Sequence, residues 1–125
     1  MSETLHSNLQ ELLGVHDVGV FKHLAAMVRA GKVVDADGDD VYLRGARGMK
    51  GLAGMRIPIG FIHGDCNETY VPQSTALTYE MLVNAFPEQP YERHLIAGYG
   101  HIDCIFGKNA ARDVYPTIAR YLNAH

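Results

Sequence analysis

The chain has 125 residues, of which 47% are apolar and 20% are charged, and its formal net charge is −3. This length suits one small domain, and this composition is typical of a soluble globular protein rather than of a disordered chain. The slight negative charge, without any basic run, argues against nucleic acid or an anionic membrane as a partner, and no apolar run approaches the roughly 20 residues of a membrane span.

The N-terminus and the cysteines indicate the compartment. The first 14 residues, MSETLHSNLQELLG, are polar and periodic, unlike a secretory signal. Two cysteines, Cys66 and Cys104, do not make a disulfide framework. We therefore expect a reducing, cytoplasmic setting.

The N-terminal residues 1–43 predict a helical segment followed by a short hairpin. Apolar residues at helical spacing indicate helices over residues 3–14 and 17–30. Two β-rich pieces, at 33–34 and 41–43, then flank an acidic turn at Asp37-Gly38. An Asp-Gly pair between such pieces is typical of a hairpin.

Residues 44–56, RGARGMKGLAGMR, have glycine at every third position. Glycine lowers the cost of irregular backbone and weakens both helices and strands. We therefore predict a flexible connection here. It separates residues 1–43 from a C-terminal part, residues 57–125.

The C-terminal part predicts an α/β fold with two parallel strands in a βαβα unit. An apolar run at 57–62, broken only by Pro58 and Gly60, indicates a buried strand, 73–86 a helix, and 93–97 a second strand. A strand, a crossover helix and a second strand make a parallel pair. The loops that follow the two strands are therefore expected at one edge of the sheet, where α/β folds carry their sites.

The last predicted helix covers residues 109–123. Pro116 lies inside this segment, and proline lacks the N–H that a helix interior requires. We expect the helix to begin late or to kink at this residue.

The two loops carry side chains suited to acid–base chemistry. Asp65, Asn67 and Glu68 follow the first strand, and His101 follows the second. An acid that accepts a hydrogen bond from one imidazole nitrogen leaves the other nitrogen free to take a proton from a nucleophile. The alternatives are a structural loop histidine and solvated loop carboxylates.

Two further interpretations of these loops are weaker. A metal cluster lacks paired ligand spacing such as Cys-x-x-Cys. A nucleophilic Cys104 is disfavoured because an inert buried thiol is commoner. The side chains that a metal cluster would draw on are His63, Asp65, Cys66, His101, Asp103 and Cys104.

The order of acid loop, helix, strand and Gly-x-Gly-His-x-Asp resembles the C-terminal end of an α/β-hydrolase, whose triad runs Ser, Asp or Glu, His. HGDCNETYVP resembles the acid loop, and GYGHIDCIFGKNAARDVYP resembles the histidine loop and final helix. The sequence is most similar to the hydrolase-like domain of cholesterol-oxidase-like proteins in the glucose-methanol-choline oxidoreductase group. FKHLAAMVRAGKVVDADGDDVYL, RIPIGFIHGD and YERHLIAGYGHIDCIFGKNAARDVYP carry that resemblance.

The resemblance implies that an intact parent is a serine hydrolase acting on an ester or related acyl bond, with a small ester or sterol-like substrate. His101 would be its base and Glu68, or next Asp65, its acid. The usual acid position holds Asn67, which orients an imidazole without stabilising imidazolium by charge.

The nucleophile of that family is not evident. The family presents it on a Gly-x-Ser-x-Gly turn, and no serine of this chain stands in such a turn. We therefore expect the chain to be inactive alone. The serines are Ser2, Ser7 and Ser74.

Two apolar parallel strands have unpaired edges, so we expect a missing hydrolase half, a partner chain or self-association through strand edges.

One predicted function is a C-terminal hydrolase fragment. The alternative is a non-catalytic companion module of a flavin-dependent sterol-oxidase-like protein. We expect no metal and no cofactor, because the flavin-binding Gly-x-Gly-x-x-Gly is lacking.

Overall fold

A computed structural model describes residues 18–45 and 50–125. The described residues form two compact units, which are separated in sequence between Arg56 and Ile57. The helix predicted over 3–14 lies outside the described residues. Within the described ranges, no helix has the length and apolar character needed to cross a membrane.

The first unit begins with helix α1, Val18–Ala30, which confirms the helix predicted over 17–30. Gly31, with φ of 64°, ends it in a left-handed conformation that glycine adopts without strain. The apolar stripe of this helix is exposed rather than buried: Phe21 is exposed and Val28 is 80% exposed.

The turn of the predicted hairpin is confirmed, but the prediction of strands on either side of it is wrong. Val41–Arg44 is a short helix, α2, and the Asp40 side chain caps it by accepting a hydrogen bond from the Leu43 N–H at 3.2 Å. A capping acceptor at this position favours a helical turn over the β propensity of the next residues. The acidic turn forms around Gly38, whose φ is 89°. The Asp35 side chain accepts hydrogen bonds from the N–H groups of Asp37 and Asp39.

The described end of the predicted flexible connection has regular structure. Gly51–Met55 is a 3-10 helix. Gly51 has φ of 59°, and a side chain there would overlap the backbone of Gly45. Glycine therefore allows close packing of two backbone segments at this point.

The second unit is a βαβ unit followed by three short helices, which confirms the α/β class and the predicted parallel pair. The strands pair in parallel, with Ile59 opposite Tyr91 and Gly64 opposite Ile96. Its elements are β1 (Ile59–Gly64), α3 (Gln73–Ala85), β2 (Tyr91–Ile96), α4 (Asp103–Phe106), α5 (Ala110–Asp113) and α6 (Tyr115–Ala124).

The predicted strand ends are displaced from the observed ones. The first strand was predicted over 57–62, but β1 ends two residues later, at Gly64. His63 is therefore part of the sheet and is only 5% exposed. A polar residue at the end of an apolar run looks like the start of a loop, and tertiary packing overrides that signal here.

The two-stranded sheet has helices on both faces. One face carries α3, whose Thr75 is hydrogen-bonded to His63 of β1 and Arg93 of β2. The core of the other face is formed by Val114 together with Ile62 and Ile96 of the strands, with Cys104 and Ala110 also buried there. The largely apolar strand β1 lies between these two layers, whereas β2 also carries the charged side chains Glu92 and Arg93.

The C-terminal helix is interrupted as Pro116 predicts. Val114, with φ of −118° and ψ of −49°, separates α5 from α6. Pro116 is in the first turn of α6, where a missing N–H costs no helical hydrogen bond. The break lets Val114 enter the core.

An ion pair joins β2 to α6. Arg120 donates to the Glu92 carboxylate at 2.7 Å, and His94 Nε2 lies 2.8 Å from the same carboxylate. Arg120 first, and then His94, lower the pKa of Glu92 from 4.5 to about 2.

Val114→Ala should destabilise the folded chain by about 2 kcal/mol, because it removes two methyl groups from a fully buried position and leaves a cavity. Urea unfolding followed by circular dichroism measures this loss. Leu122→Ala is the control: its side chain is 70% exposed, and the loss should stay below about 0.5 kcal/mol. Equal losses would contradict the assigned core.

Glu92→Gln should lower the unfolding midpoint in urea at about pH 7 and have a much smaller effect at about pH 2, where the folded-state carboxyl is half protonated. The folded-state pKa is depressed, so the ion pair stabilises the fold above pH 4.5, and this contribution disappears as pH falls towards 2. Glu80→Gln on the exposed surface of α3 is the control and should show no such pH dependence. A gap that is the same at both pH values would rule out the ion pair as its source.

Candidate functional site

The loops after β1 and β2 lie together, as predicted. The first loop comprises residues 65–72 and the second loop residues 97–102. The Asp65 N–H donates to the Ile96 carbonyl at 3.0 Å, and the Cys66 N–H donates to the Tyr99 carbonyl at 3.0 Å. Backbone hydrogen bonds thus continue from the parallel sheet into both loops.

Asp65 positions the second loop rather than the imidazole. Its Oδ1 accepts a hydrogen bond from the Gly98 N–H at 2.7 Å. That bond, followed by one from the Cys66 thiol, lowers the pKa of Asp65. Gly98 has φ of 76°, a conformation that favours glycine, so the chain turns sharply after β2.

His101 is flanked by two further backbone constraints. The Asp103 carboxylate accepts a hydrogen bond from the Gly100 N–H at 2.9 Å. A side chain at Gly64 would overlap the carbonyl of Tyr99, so the end of β1 and the second loop are in direct backbone contact. The position of His101 is therefore fixed by the loop on both sides.

The side chain that meets His101 is Asn67. Its Nδ2 lies 3.4 Å from His101 Nδ1, and the residue is only 8% exposed. Its Oδ1 accepts hydrogen bonds from the N–H groups of Thr69 at 3.1 Å and Tyr70 at 3.0 Å. Because the amide oxygen faces these two donors, the NH₂ group is the part that faces the imidazole.

This orientation determines where the imidazole carries its proton. An amide NH₂ donates and does not accept, so His101 Nδ1 is the acceptor. The neutral ring then has its hydrogen on Nε2. A histidine base of a serine hydrolase needs the opposite arrangement, with hydrogen on Nδ1 and a lone pair on Nε2.

The other predicted acid does not contact the imidazole. Glu68 is exposed, and in the described residues no hydrogen bond joins Glu68 or Asp65 to His101. Of the three candidates for the orienting group, the structure brings Asn67 to the histidine.

A hydrogen-bond network beneath the first loop, centred on the buried His63, was missed by the sequence reasoning. His63 Nε2 donates to the Tyr70 carbonyl at 2.8 Å, and its Nδ1 lies 3.1 Å from the Thr75 hydroxyl. Arg93 donates to the Thr75 hydroxyl at 3.1 Å and to the Pro72 carbonyl at 2.8 Å. The C-terminal end of the first loop is thereby attached to the sheet and to α3.

This network also places an aromatic ring beside His101. The Tyr70 and His101 ring centroids are 5.1 Å apart, with the planes inclined at 46°. A tilted aromatic contact of this kind restrains the imidazole. Placing the strand end at Gly64 would have identified His63 from the sequence, whereas no pattern pointed to Tyr70 or Thr75.

A cavity of about 590 Å³ lies beside these groups. Its wall includes the apolar side chains Ile62, Ile105 and Ile118, and the polar side chains His63, Asn67, Ser74, Thr75 and His101. No Lys, Arg, Asp or Glu of the described residues lines it.

The two thiols are poorly suited to act as nucleophiles. The Asp65 carboxylate, through a hydrogen bond and its charge, raises the pKa of Cys66. Burial, and then the charge of Asp103, raise the pKa of Cys104. Thiolates, not thiols, are the reactive form. In the described residues no three His, Cys, Asp or Glu side chains are grouped closely enough to hold a metal ion.

Comparisons with protein-family models, curated proteins and solved structures found no match for this chain. The resemblance to α/β-hydrolases therefore rests on the quoted motifs. The arrangement of strands and loops agrees with it at the level of the α/β class.

Asn67→Asp should move the imidazole proton of His101 from Nε2 to Nδ1. The new carboxylate retains an oxygen for the Thr69 and Tyr70 N–H groups and places a second oxygen where the NH₂ donated. Imidazole ¹⁵N NMR at about pH 8, where histidines are ordinarily neutral, reports which nitrogen is protonated.

Asn84→Asp, on the exposed surface of α3, adds the same charge and should leave the His101 tautomer unchanged. Hydrogen on Nδ1 in the unsubstituted chain would contradict the assigned orientation of Asn67.

Proposed function

We propose that residues 57–125 form a non-catalytic module on the C-terminal βαβα part of an α/β-hydrolase-like fold, in which His101 donates a hydrogen bond instead of taking a proton. The observation that carries this proposal is the Asn67 amide, whose oxygen is held by two backbone N–H groups and whose NH₂ faces His101 Nδ1.

The loss of activity that follows when asparagine replaces the aspartate of a catalytic triad supports a non-catalytic role. In a serine-protease triad, replacing the aspartate by asparagine keeps the geometry but lowers kcat by about 10⁴, because the histidine takes the wrong tautomer. Asn67 has the same relation to His101. A hydrolase site built in this way loses most of its general-base catalysis.

The supply of nucleophiles agrees with a non-catalytic role. Ser74 is the described serine that lines the cavity with His101, and in the described residues no hydrogen bond joins the two side chains. A serine without a base in contact is a weak nucleophile. The raised thiol pKa values of Cys66 and Cys104 act in the same direction.

A second candidate is the acid and histidine portion of a serine hydrolase whose nucleophile comes from another segment or another chain. It is favoured by the edge of β1: in the described residues β1 pairs with β2 alone, and Gly60, Ile62 and Gly64 of that strand line the cavity. Strands of an open sheet present unpaired N–H and C=O groups at such an edge. In this candidate Glu68 or Asp65 would have to reach the imidazole, and the substrate would be a small ester or sterol-like molecule.

The resemblance to cholesterol-oxidase-like proteins suggests the partner of the module. A companion strand, from a flavin-dependent sterol-oxidase-like protein or from a second copy of this chain, would pair with β1. Pairing of an added strand through main-chain hydrogen bonds is a common mode of association.

The purified chain should hydrolyse p-nitrophenyl acetate no faster than its exposed imidazoles do in solution. His101→Ala and His125→Ala should lower that background by similar, less than about twofold amounts, because His125 is an exposed histidine outside the cavity. Initial rates over a range of ester concentrations measure this. Saturable hydrolysis that His101→Ala abolishes and His125→Ala does not would overturn the proposal in favour of the hydrolase candidate.

A further inference from the structure

We infer that the cavity beside His101 binds an uncharged, largely apolar molecule through one carbonyl oxygen, which accepts a hydrogen bond from Nε2–H of His101. This inference rests on the proposed function, because it requires the tautomer that Asn67 imposes. It assigns the ligand class of the site: a ketone-type acceptor without a charge.

The cavity has the size and the surface for such a ligand. Its volume of about 590 Å³ lies within the usual range of small-molecule sites, about 300–1,000 Å³. Ile62, Ile105 and Ile118 supply apolar wall, and Ile105 is exposed. Covering these side chains with an apolar ligand is favourable at roughly 25 cal/mol per Å² removed from water.

Most polar atoms around the cavity already have partners. The Asn67 amide is engaged by Thr69, Tyr70 and His101, and His63 contacts the Tyr70 carbonyl and the Thr75 hydroxyl. These groups form the wall without competing for a ligand. Their hydrogen bonds also fix the shape of the cavity wall before a ligand binds, which lowers the entropy cost of binding.

Three described side chains that line the cavity keep an unpartnered N–H or O–H donor: His101, Ser74 and Tyr70. His101 has its Nδ1 turned to Asn67, which leaves Nε2–H on the other side of the ring. Ser74 and Tyr70 each contribute a hydroxyl. In the described residues none of these three donors, His101 Nε2–H and the hydroxyls of Ser74 and Tyr70, has a hydrogen-bond partner. A carbonyl oxygen has two lone pairs and no hydrogen, so it can accept a hydrogen bond from Nε2–H of His101 and from a hydroxyl beside it.

The charges around the cavity exclude ionic ligands. Among the described residues no Lys or Arg lines it, and Arg93, which contacts Thr75, also donates to the Pro72 carbonyl. The surrounding loops carry the carboxylates of Asp65 and Asp103. A carboxylate ligand would lose its hydration without gaining a cation, and an ammonium ligand would find no carboxylate in the wall.

Binding of 2-octanone tests the inference, with octanoate and 1-octene as matched probes. We expect saturable binding of the ketone by NMR titration, with a shift of the His101 imidazole signals. Octanoate, which is charged, and 1-octene, which lacks the acceptor, should bind at least about fivefold more weakly, the value of roughly one neutral hydrogen bond.

Asn67→Asp gives the sharpest comparison at about pH 8. It should turn Nε2 from a donor into an acceptor, so that 2-octanone binding falls by about fivefold or more while 2-octanol, which has a hydroxyl to donate, binds well. Retained alcohol binding shows that the variant still forms the cavity. Asn84→Asp should keep the ketone preference of the unsubstituted chain.

The outcomes separate this inference from the proposal on which it rests. If ¹⁵N NMR shows hydrogen on Nε2 but 2-octanone does not bind saturably, this inference fails and the proposed function stands. Equal ketone binding by Asn67→Asp would also overturn this inference alone. Hydrogen on Nδ1 in the unsubstituted chain would overturn both.

Discussion

The side-chain oxygen of Asn67 accepts two backbone N–H hydrogen bonds, and the chemistry of the second unit depends on this one arrangement. It shapes the first loop as an Asx turn does, and it simultaneously directs the NH₂ group at His101. An aspartate would satisfy the same two N–H groups, so the fold of the loop is indifferent to the choice between amide and acid. The proton on the imidazole is not indifferent, because only the acid accepts a hydrogen bond from Nδ1.

The support for that arrangement comes from below the loop. His63 is buried at the end of β1, and its contacts with the Tyr70 carbonyl and with Thr75 attach the loop to both the sheet and α3. A buried imidazole requires partners for both nitrogens, and here both have them. His63 thus has a structural role. His101 is exposed and does not have that role. Two histidines of the same site differ in function because they differ in burial and in partners.

The sequence predicted the elements of the second unit better than it predicted the site. Apolar runs and a crossover helix identify parallel strands, and Pro116 predicts the break before α6, because these signals are local. The helix at Val41–Arg44 was missed because the capping bond from Asp40 outweighs the β propensity of the residues it precedes. Charge chemistry favoured Glu68 as the partner of His101, whereas the choice of Asn67 depends on the direction of two loop N–H groups. The direction of these N–H groups depends on the backbone conformation of the loop, which the residue types alone do not predict.

The contact between Gly64 and the Tyr99 carbonyl has a consequence for motion. The end of β1 and the second loop touch through backbone atoms, and the Cys66 N–H is bonded to the same carbonyl. Neither loop has room to shift independently of the other. Fluctuations that expose these amides to solvent should therefore be concerted, so that hydrogen exchange at the two loops follows one opening free energy. We therefore expect the two loops to open together, because the lack of a side chain at Gly64 lets the end of β1 contact the second loop directly.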